Sequence, residues 1–331
     1  MIRSERTGRA AAAVLRTLAV AAAYCAAGGL GLIEEVSVHG AVVTPLWPPT
    51  GIALGALIAL GPGAWPGVAL GSLLVVATLS GSVTLSTFAV VAGNTAAPLC
   101  SYLMLRRAGF RGELDRLRDG VVLVFLGALA GMTVSATVGA GMLTIDGELP
   151  QSGFWPVWAA WWSGDAMGVL VVTPLLLVLR RARMPRPGDR WIEASALLVV
   201  SVAVALVATR SSLPMTCLVF PLIIWAALRF QLAGSAPCAL LVSVLAATAG
   251  AEGAGPFEGL AIVHAMVGLA VFNGCVALTS LLLAAVVTEQ SNVRHRIERA
   301  CEELAEVVEQ LAPGRTAAAW PPSPEDGLER R

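Results

Sequence analysis

A succession of apolar runs, nearly free of charge, limits what this chain can fold into more than any other feature. They are 11–33, 46–60, 64–79, 83–105, 119–142, 155–179, 191–209, 213–229, 233–250 and 260–288. A helix needs roughly 20 apolar residues to cross about 30 Å of hydrocarbon. Most of the runs reach that length; 46–60 and 64–79 are shorter and flank Gly61-Pro62-Gly63. Only 13% of the 331 residues are charged and 56% are hydrophobic, whereas an ordinary soluble domain carries about 25% charge. The mean hydropathy of +0.77 agrees. The expected fold is therefore all-α, a polytopic transmembrane bundle of about ten helices, or about eight if 46–79 is re-entrant.

Arginine placement orients the bundle. Arg3, Arg6, Arg9 and Arg16 flank the first run, a pattern shared with signal peptides, but the many later spans argue for a retained helix. With the N-terminus in the cytoplasm, alternation places Arg106, Arg107, Arg111, Arg116 and Arg118 inside. Arg180, Arg181, Arg183, Arg186, Arg190 and Arg229 fall on the same side. Every arginine except Arg210 then lies on or beside the cytoplasmic face, as the positive-inside rule requires. The outer loops carry Glu34, Glu35, Asp146, Glu148, Glu252 and Glu258. A multi-pass protein of a bacterial cytoplasmic membrane, with both termini cytoplasmic, is expected. Trp47 and Trp155 fall near outer boundaries, and Trp65, Trp191 and Trp225 near inner ones, as interfacial anchors do. The balance of 22 basic and 22 acidic residues leaves no basic surface for nucleic acid. The six cysteines are scattered and read as small hydrophobes.

Beyond Glu289 the chain turns charged. Val286, Val293, Ile297, Ala300, Leu304, Val307 and Leu311 keep a heptad spacing, which predicts that the last membrane helix continues as a short coiled coil or lies as an amphipathic helix. The expected organisation is a tail over 1–10, an integral-membrane domain over 11–288, a cytoplasmic helix over 289–312 and a disordered Pro-rich tail over 313–331.

Charge in hydrocarbon costs about 2.5–3.5 kcal/mol on insertion scales and marks functional candidates. Asp165, in Trp161-Trp162-Ser163-Gly164-Asp165, is expected roughly 12–15 Å below the boundary near Trp155. A desolvated carboxylate there needs a cationic or hydroxyl partner, or a proton of its own. It reads either as a ligand, ion or proton site lined by tryptophans, or as a clamp between helices. Asn94, His264 and Asn273 read first as interhelical hydrogen-bonding residues. Trp47-Pro48-Pro49-Thr50-Gly51 begins a helix at or just inside the outer interface, since proline suits a first helical turn. It is either a rigid start or a broken-helix site. Gly51/Gly55, Gly67/Gly71, Gly127/Gly131 and Gly164/Gly168 have the GxxxG spacing that lets helices approach closely. Asp165 with His264 falls short of a metal site, so neither metal nor cofactor is expected. No P-loop, HExxH or nucleotide-binding glycine loop occurs. His295 is followed by Arg296 and is a weak phosphoacceptor.

Five stretches in order, WPPTGIALGAL (47–57), WPGVALGSLL (65–74), GNTAAPLCSYLMLRR (93–107), WWSGDAMGVLVVTPLLL (161–177) and FPLIIWAALRFQLAG (220–234), resemble the membrane-associated sensor family, MASE domain type 1. The GPF at 255–257 fits too, and the resemblance spans roughly residues 14–288. It implies a sensor or anchoring module of bacterial signalling proteins, commonly fused to diguanylate cyclase, phosphodiesterase or histidine kinase domains. Some members of the family contact another membrane protein. The residues after 288 are too few for such an output domain, so a stand-alone, non-enzymatic member is expected. The matched motifs carry over Trp47, Pro48, Pro49, Gly51, Asn94, Trp161, Asp165 and Arg229 as core or ligand positions. With His264 added, these are the candidate ligand-binding residues. The expected function is a sensory or signal-transduction module that binds a ligand or docks a partner. Its expected partners are the lipid bilayer, a membrane or cytoplasmic signalling protein, and a second copy through 289–311. The alternative is a small-molecule permease or its substrate-binding subunit. An intramembrane hydrolase built on Ser163 and His264 is the weakest reading.

Overall fold

The computed structural model describes residues 2–81, 83–181, 190–211 and 215–311. Its helices are α1 (Ile2–Gly31), α2 (Pro48–Leu60), α3 (Trp65–Ser80), α4 (Leu85–Arg107), α5 (Leu117–Val122), α6 (Thr133–Ile145), α7 (Phe154–Arg181), α8 (Trp191–Arg210), α9 (Val219–Ala251) and α10 (Ile262–Leu311). By internal contacts the chain divides into Met1–Thr288 and Glu289–Arg331. Among the described residues, eight helical runs are long and apolar enough to cross a membrane, and Pro48–Leu60 is a shorter apolar helix. This is an all-α polytopic membrane bundle. Helix α1 begins at Ile2, so the residues expected as an N-terminal tail are already helical. The expected tail over 313–331 lies outside the described residues.

Glycines set the directions in which the helices pack. A Cβ on Gly67 would meet Thr17 and Val20, one on Gly71 would meet Tyr24, and one on Gly28 would meet Val75. Helices α1 and α3 therefore run parallel along most of their length, and 46–79 is not a shallow re-entrant hairpin. Gly93 against Val138 and Gly131 against Ser101 make α4 and α6 antiparallel. Gly51 against Gly168 and Gly55 against Leu176 make α2 and α7 parallel. α7 is the most buried run, with 72% of its apolar window inside the protein, and α2, α6 and α9 pack against it.

Two elements depart from simple spans. The residues joining α5 to α6 include a π-helical stretch, Leu123–Ala130, and its carbonyls take side-chain donors. Ser101 Oγ donates to Gly127 O at 2.8 Å and Trp162 Nε1 to Leu129 O at 2.8 Å, as expected where the i→i−4 ladder is displaced. In α9, Gln231 has φ 54° and ψ −142°, and the chain folds back there. Val219 and Ile223 cluster with Ala239 and Val242, and Ala226 clusters with Cys238. The separate runs expected at 213–229 and 233–250 are thus two arms meeting at Gln231. The ends of the bundle are also separated chemically. At one end Arg229 pairs with Glu193 at 2.5 Å; at the other Arg210 pairs with Glu252 at 2.5 Å.

The connection from α1 to α2 holds an element that the helical pattern did not announce. Val36–Val38 (β1) and Ala41–Val43 (β2) pair antiparallel, with Val38 opposite Ala41. His39 (φ 51°) and Gly40 (φ 87°) turn the ribbon, and two successive positive φ values are what a type I′ hairpin demands. Val38, Ala41 and Val43 bury against Ala140, Leu149, Val157, Ala160 and Met266. The ribbon therefore lays one face against α6, α7 and the start of α10, while Ser37, His39, Gly40 and Val42 are exposed.

A Cβ at Gly168 would overlap the Trp47 carbonyl, and one at Gly51 would overlap the Gly168 carbonyl. Gly168→Ala and Gly51→Ala should each lower stability by about 1–3 kcal/mol, the usual cost of overpacking. Gly141→Ala, which meets nothing within 4 Å, should be neutral or stabilising by up to about 1 kcal/mol through helix propensity. Thermal unfolding of the purified protein in detergent, with the three variants compared side by side, checks this order.

Candidate functional site

Helix α2 starts deep in the bundle rather than at its rim. The Trp47 N–H donates to Gly164 O at 3.0 Å, and Gly164 lies ten residues along α7 from Phe154, about 15 Å below the start of that helix. WPPTG, expected to begin a helix at or just inside the outer interface, begins it beside the middle of α7. The preceding ribbon and loop fill the first half of this pass, and α2, with 13 residues, spans only about 20 Å of the rest. A helix begun in a dry interior leaves up to four N–H groups without partners. Pro48 and Pro49 occupy its first two positions and have no N–H to satisfy. The Thr50 N–H reaches Trp47 O at 3.4 Å.

Asp165 faces this helix start. The Thr50 Oγ1 hydroxyl donates to its Oδ1 at 2.6 Å, and the Ser135 Oγ hydroxyl donates to its Oδ2 at 2.5 Å. The carboxylate is 2% exposed and ties α2, α6 and α7 together. From α7 it faces the first turn of α2, where the helix dipole is positive. Thr173 Oγ1 donates to Gly51 O at 3.0 Å, a second tie along the same seam. Beside it, Tyr24 is buried, with the Ser72 and Trp47 side chains as hydrogen-bonding neighbours. Asn94 Nδ2 donates to Ser72 Oγ at 3.2 Å. Polar contacts thus run from Asn94 on α4 through Ser72 on α3 and Tyr24 on α1 to Trp47.

A cavity of about 380 Å³ opens above Asp165, within the range of roughly 300–1,000 Å³ typical of ligand pockets. Its walls are β2 with Thr44 and Trp47, the ends of α3 and α6, the first turns of α4, and Trp161 and Gly164 of α7. Exposed Ser80, Thr84, Asp146 and Glu148 form the rim, and Asp165 and Asn94 lie deep. The ring of Trp161 packs on Gly139, which fixes it as one wall.

Of the residues expected in a site, Trp47, Asn94, Trp161 and Asp165 line this cavity, and Pro48 and Pro49 abut it through Trp47. Two do not join it. Arg229 is an exposed residue bound by Glu193 at the other end of the bundle, and His264 is exposed in the first turn of α10. The Ser163 hydroxyl donates to Ala160 O of its own helix at 2.9 Å. Asn273, expected to bond between helices, is buried with neither polar atom partnered. No group of three or more metal-ligating side chains occurs among the described residues. Thr50, Ser135, Tyr24 and Ser72 were not singled out beforehand. Thr50 stood inside the WPPTG motif, but lone hydroxyls on apolar helices carry no sequence signal of their own.

The two motifs that carried the family resemblance, WPPTG and WWSGDAMG, meet face to face around Asp165. The chain belongs to the MASE1 family. That family's model matches residues 15–291, which covers most of the chain. No curated protein and no solved structure matches it. As a MASE1 chain it is an integral-membrane sensory module, and the family is one of membrane sensor domains rather than catalysts.

Removing the carboxylate leaves the buried Thr50 hydroxyl without an acceptor, which costs about 1–3 kcal/mol, and leaves Ser135 Oγ only the Met132 carbonyl at 3.0 Å. Removing one donor costs less, near the 0.6 kcal/mol average for hydrogen bonds between membrane helices. Asp165→Ala should therefore destabilise more than Thr50→Val or Ser135→Ala. Unfolding midpoints in mixed micelles give the ranking, and equal effects of all three would remove Asp165 from the centre of the clamp.

Proposed function

We propose that this MASE1 module senses a small ligand held above Asp165 and relays occupancy through α10 to a partner or a second copy. The observation that carries the reading is the cavity itself, which ends on the two family-defining motifs and reaches solvent at one rim. The relay rests on the course of α10, which runs from Ile262 to Leu311 as one helix. Over its last part Val293, Ile297, Leu304 and Val307 are exposed at the heptad positions of a coiled-coil seam. Exposed apolar residues at that spacing suit a second copy of the same helix or an amphipathic helix of a signalling partner. The permease alternative draws on the broken start of α2. Against it stands the floor of the cavity, where α2 and α7 touch backbone to backbone at Gly51, Gly164 and Gly168 and leave no path onward.

A large side chain at Val90, which lines the cavity, serves as a surrogate for ligand. In a Cys301→Ser background, cysteines placed singly at 293, 297 and 304 should give disulfide-linked dimers in native membranes. Adding Val90→Trp should change the yield at one or more of these positions at least twofold. Identical yields with and without Val90→Trp at all three positions would sink the relay.

We place the arginine-rich end of the bundle in the cytoplasm of a bacterial cell membrane, with both termini on that side, on the positive-inside rule. Cys217, exposed in the turn before α9, and Cys301, exposed on α10, then lie on opposite sides. A membrane-impermeant maleimide applied to intact cells should label Cys217 and spare Cys301 until the cells are permeabilised. The reverse pattern inverts the topology.

A further inference from the structure

The charge around the cavity is one-sided. Asp146 and Glu148 stand at its mouth and Asp165 at its floor, and no described lining residue is basic. Asp165 takes part in no ion pair among the described residues; its partners are two neutral hydroxyls. A carboxylate offers about four acceptor positions, so two stay open on a group that lines the cavity. A buried charge without a counter-charge is costly, and a cleft carrying acids alone, with apolar walls, concentrates cations. The dipole of α2 does not cancel this preference for cations, because its positive end is already taken up by Asp165. The walls point to more than an ion. Trp161 presents an aromatic surface, Val76, Val90 and Met142 are apolar, and Thr87 and Asn94 supply hydrogen-bonding groups. Aromatic faces attract cations. A bare metal ion does not fit, since no cluster of ligating side chains occurs among the described residues.

We infer that the cavity above Asp165 takes a small organic cation, a protonated amine with an apolar body, whose ammonium meets the Asp165 carboxylate while its body lies along Trp161. The inference rests on the cavity being a ligand site, as proposed above. The two acids at the rim draw the cation in, and the floor acid selects it over neutral and anionic molecules of the same shape.

Three indole compounds of nearly equal size separate the cases: tryptamine as the cation, tryptophol as the neutral analogue and indole-3-propionate as the anion. Their dissociation constants are measured by titration calorimetry on the full chain in lipid nanodiscs. Tryptamine should bind at least tenfold tighter than tryptophol, and indole-3-propionate weakest. Asp165→Asn should bring tryptamine to within about threefold of tryptophol. Should that variant fail to fold, the double variant Asp146→Asn, Glu148→Gln carries the test, with a weaker tryptamine affinity and a flatter salt dependence. Val90→Trp should abolish binding of all three. Tryptophol or indole-3-propionate binding as well as tryptamine, with Val90→Trp blocking them, overturns the cation and keeps the cavity as a ligand site. No binding by any compound, while Val90→Trp still shifts crosslinking on α10, likewise overturns the cation and leaves the sensor standing. No binding together with unchanged crosslinking overturns both.

Discussion

Helices α2 and α7 touch through their main chains, and the rest of the site follows from that seam. Trp47 N–H binds Gly164 O, the Trp47 carbonyl lies over Gly168, and the Gly168 carbonyl lies over Gly51. Side chains larger than hydrogen at these points would hold the helices apart by ångströms. Thr50 would then fall out of reach of Asp165, and Thr173 out of reach of Gly51 O. Because α2 is short and starts halfway along α7, the seam also decides what occupies the space above it. That space goes to the β-ribbon and to the cavity beside it. In hydrocarbon such irregular backbone is tolerated only where protein or a cavity surrounds it, and α3, α4, α6 and α7 supply the surround.

The polar groups around Asp165 are arranged economically, and the exceptions elsewhere are instructive. Asp165, Thr50, Ser135, Thr173 and Asn94 all have partners that tie separate helices together. Prolines at the start of α2 remove donors instead of satisfying them. Among the described residues the exceptions are Ser243 Oγ on α9 and both polar atoms of the Asn273 amide on α10, together with Asp115 Oδ1 and Asp119 Oδ2 near the start of α5, all buried without partners. Lone buried groups of this kind cost about 1–3 kcal/mol each, whereas Asp165 meets two hydroxyl donors. The contrast separates a tight, fully bonded region around α2, α6 and α7 from a loosely bonded one between α9 and α10.

What could be read from the sequence tracked the strength of its patterns. Long apolar runs marked the spans, and the break between 229 and 233 was visible as a dip in hydrophobicity although the turn itself is made at Gln231. GxxxG spacings marked the close contacts, yet the pattern alone did not pair Gly51/Gly55 with Gly164/Gly168. Depth was misread at Trp47, because counting residues from a run's edge assumes that each helix starts at the boundary. The ribbon had a signal that was passed over: Val36-Ser37-Val38 and Ala41-Val42-Val43 flank His39-Gly40, two β-prone triplets around a two-residue turn. Arg229 was carried over with its motif and His264 was drawn in as a rare polar residue of an apolar run, but both stand at helix ends, Arg229 bound by the Glu193 carboxylate and His264 exposed. Asp165 differed because it lay more than two turns from either end of its run, and position rather than residue type made it informative.

Helix α10 is where these two regions bear on one another. Met266 of α10 buries in the same cluster as Val38, Ala41 and Val43 of the ribbon, so the wall of the cavity and the start of α10 share packing. Further along, a Cβ on Gly274 would meet the Met167 side chain of α7, two residues beyond Asp165, at 3.9 Å, and one on Gly120 would meet Leu281, Leu282 and Ala285. These contacts are apolar, and the Asn273 amide between them makes no bond that a movement would break. A helix held mainly by side-chain packing, with one long tie from Ser235 Oγ to Ser280 O at 3.4 Å, shifts at lower cost than α2, which Asp165 and the glycine seam hold. On the proposed reading, a ligand that presses on the ribbon acts on α10 through Met266 against a fixed α2–α7 frame. A ligand moves such an equilibrium only by as much as it favours one state over the other. The rigid seam keeps that preference from being spent on the frame and delivers it to the one helix that continues beyond Thr288.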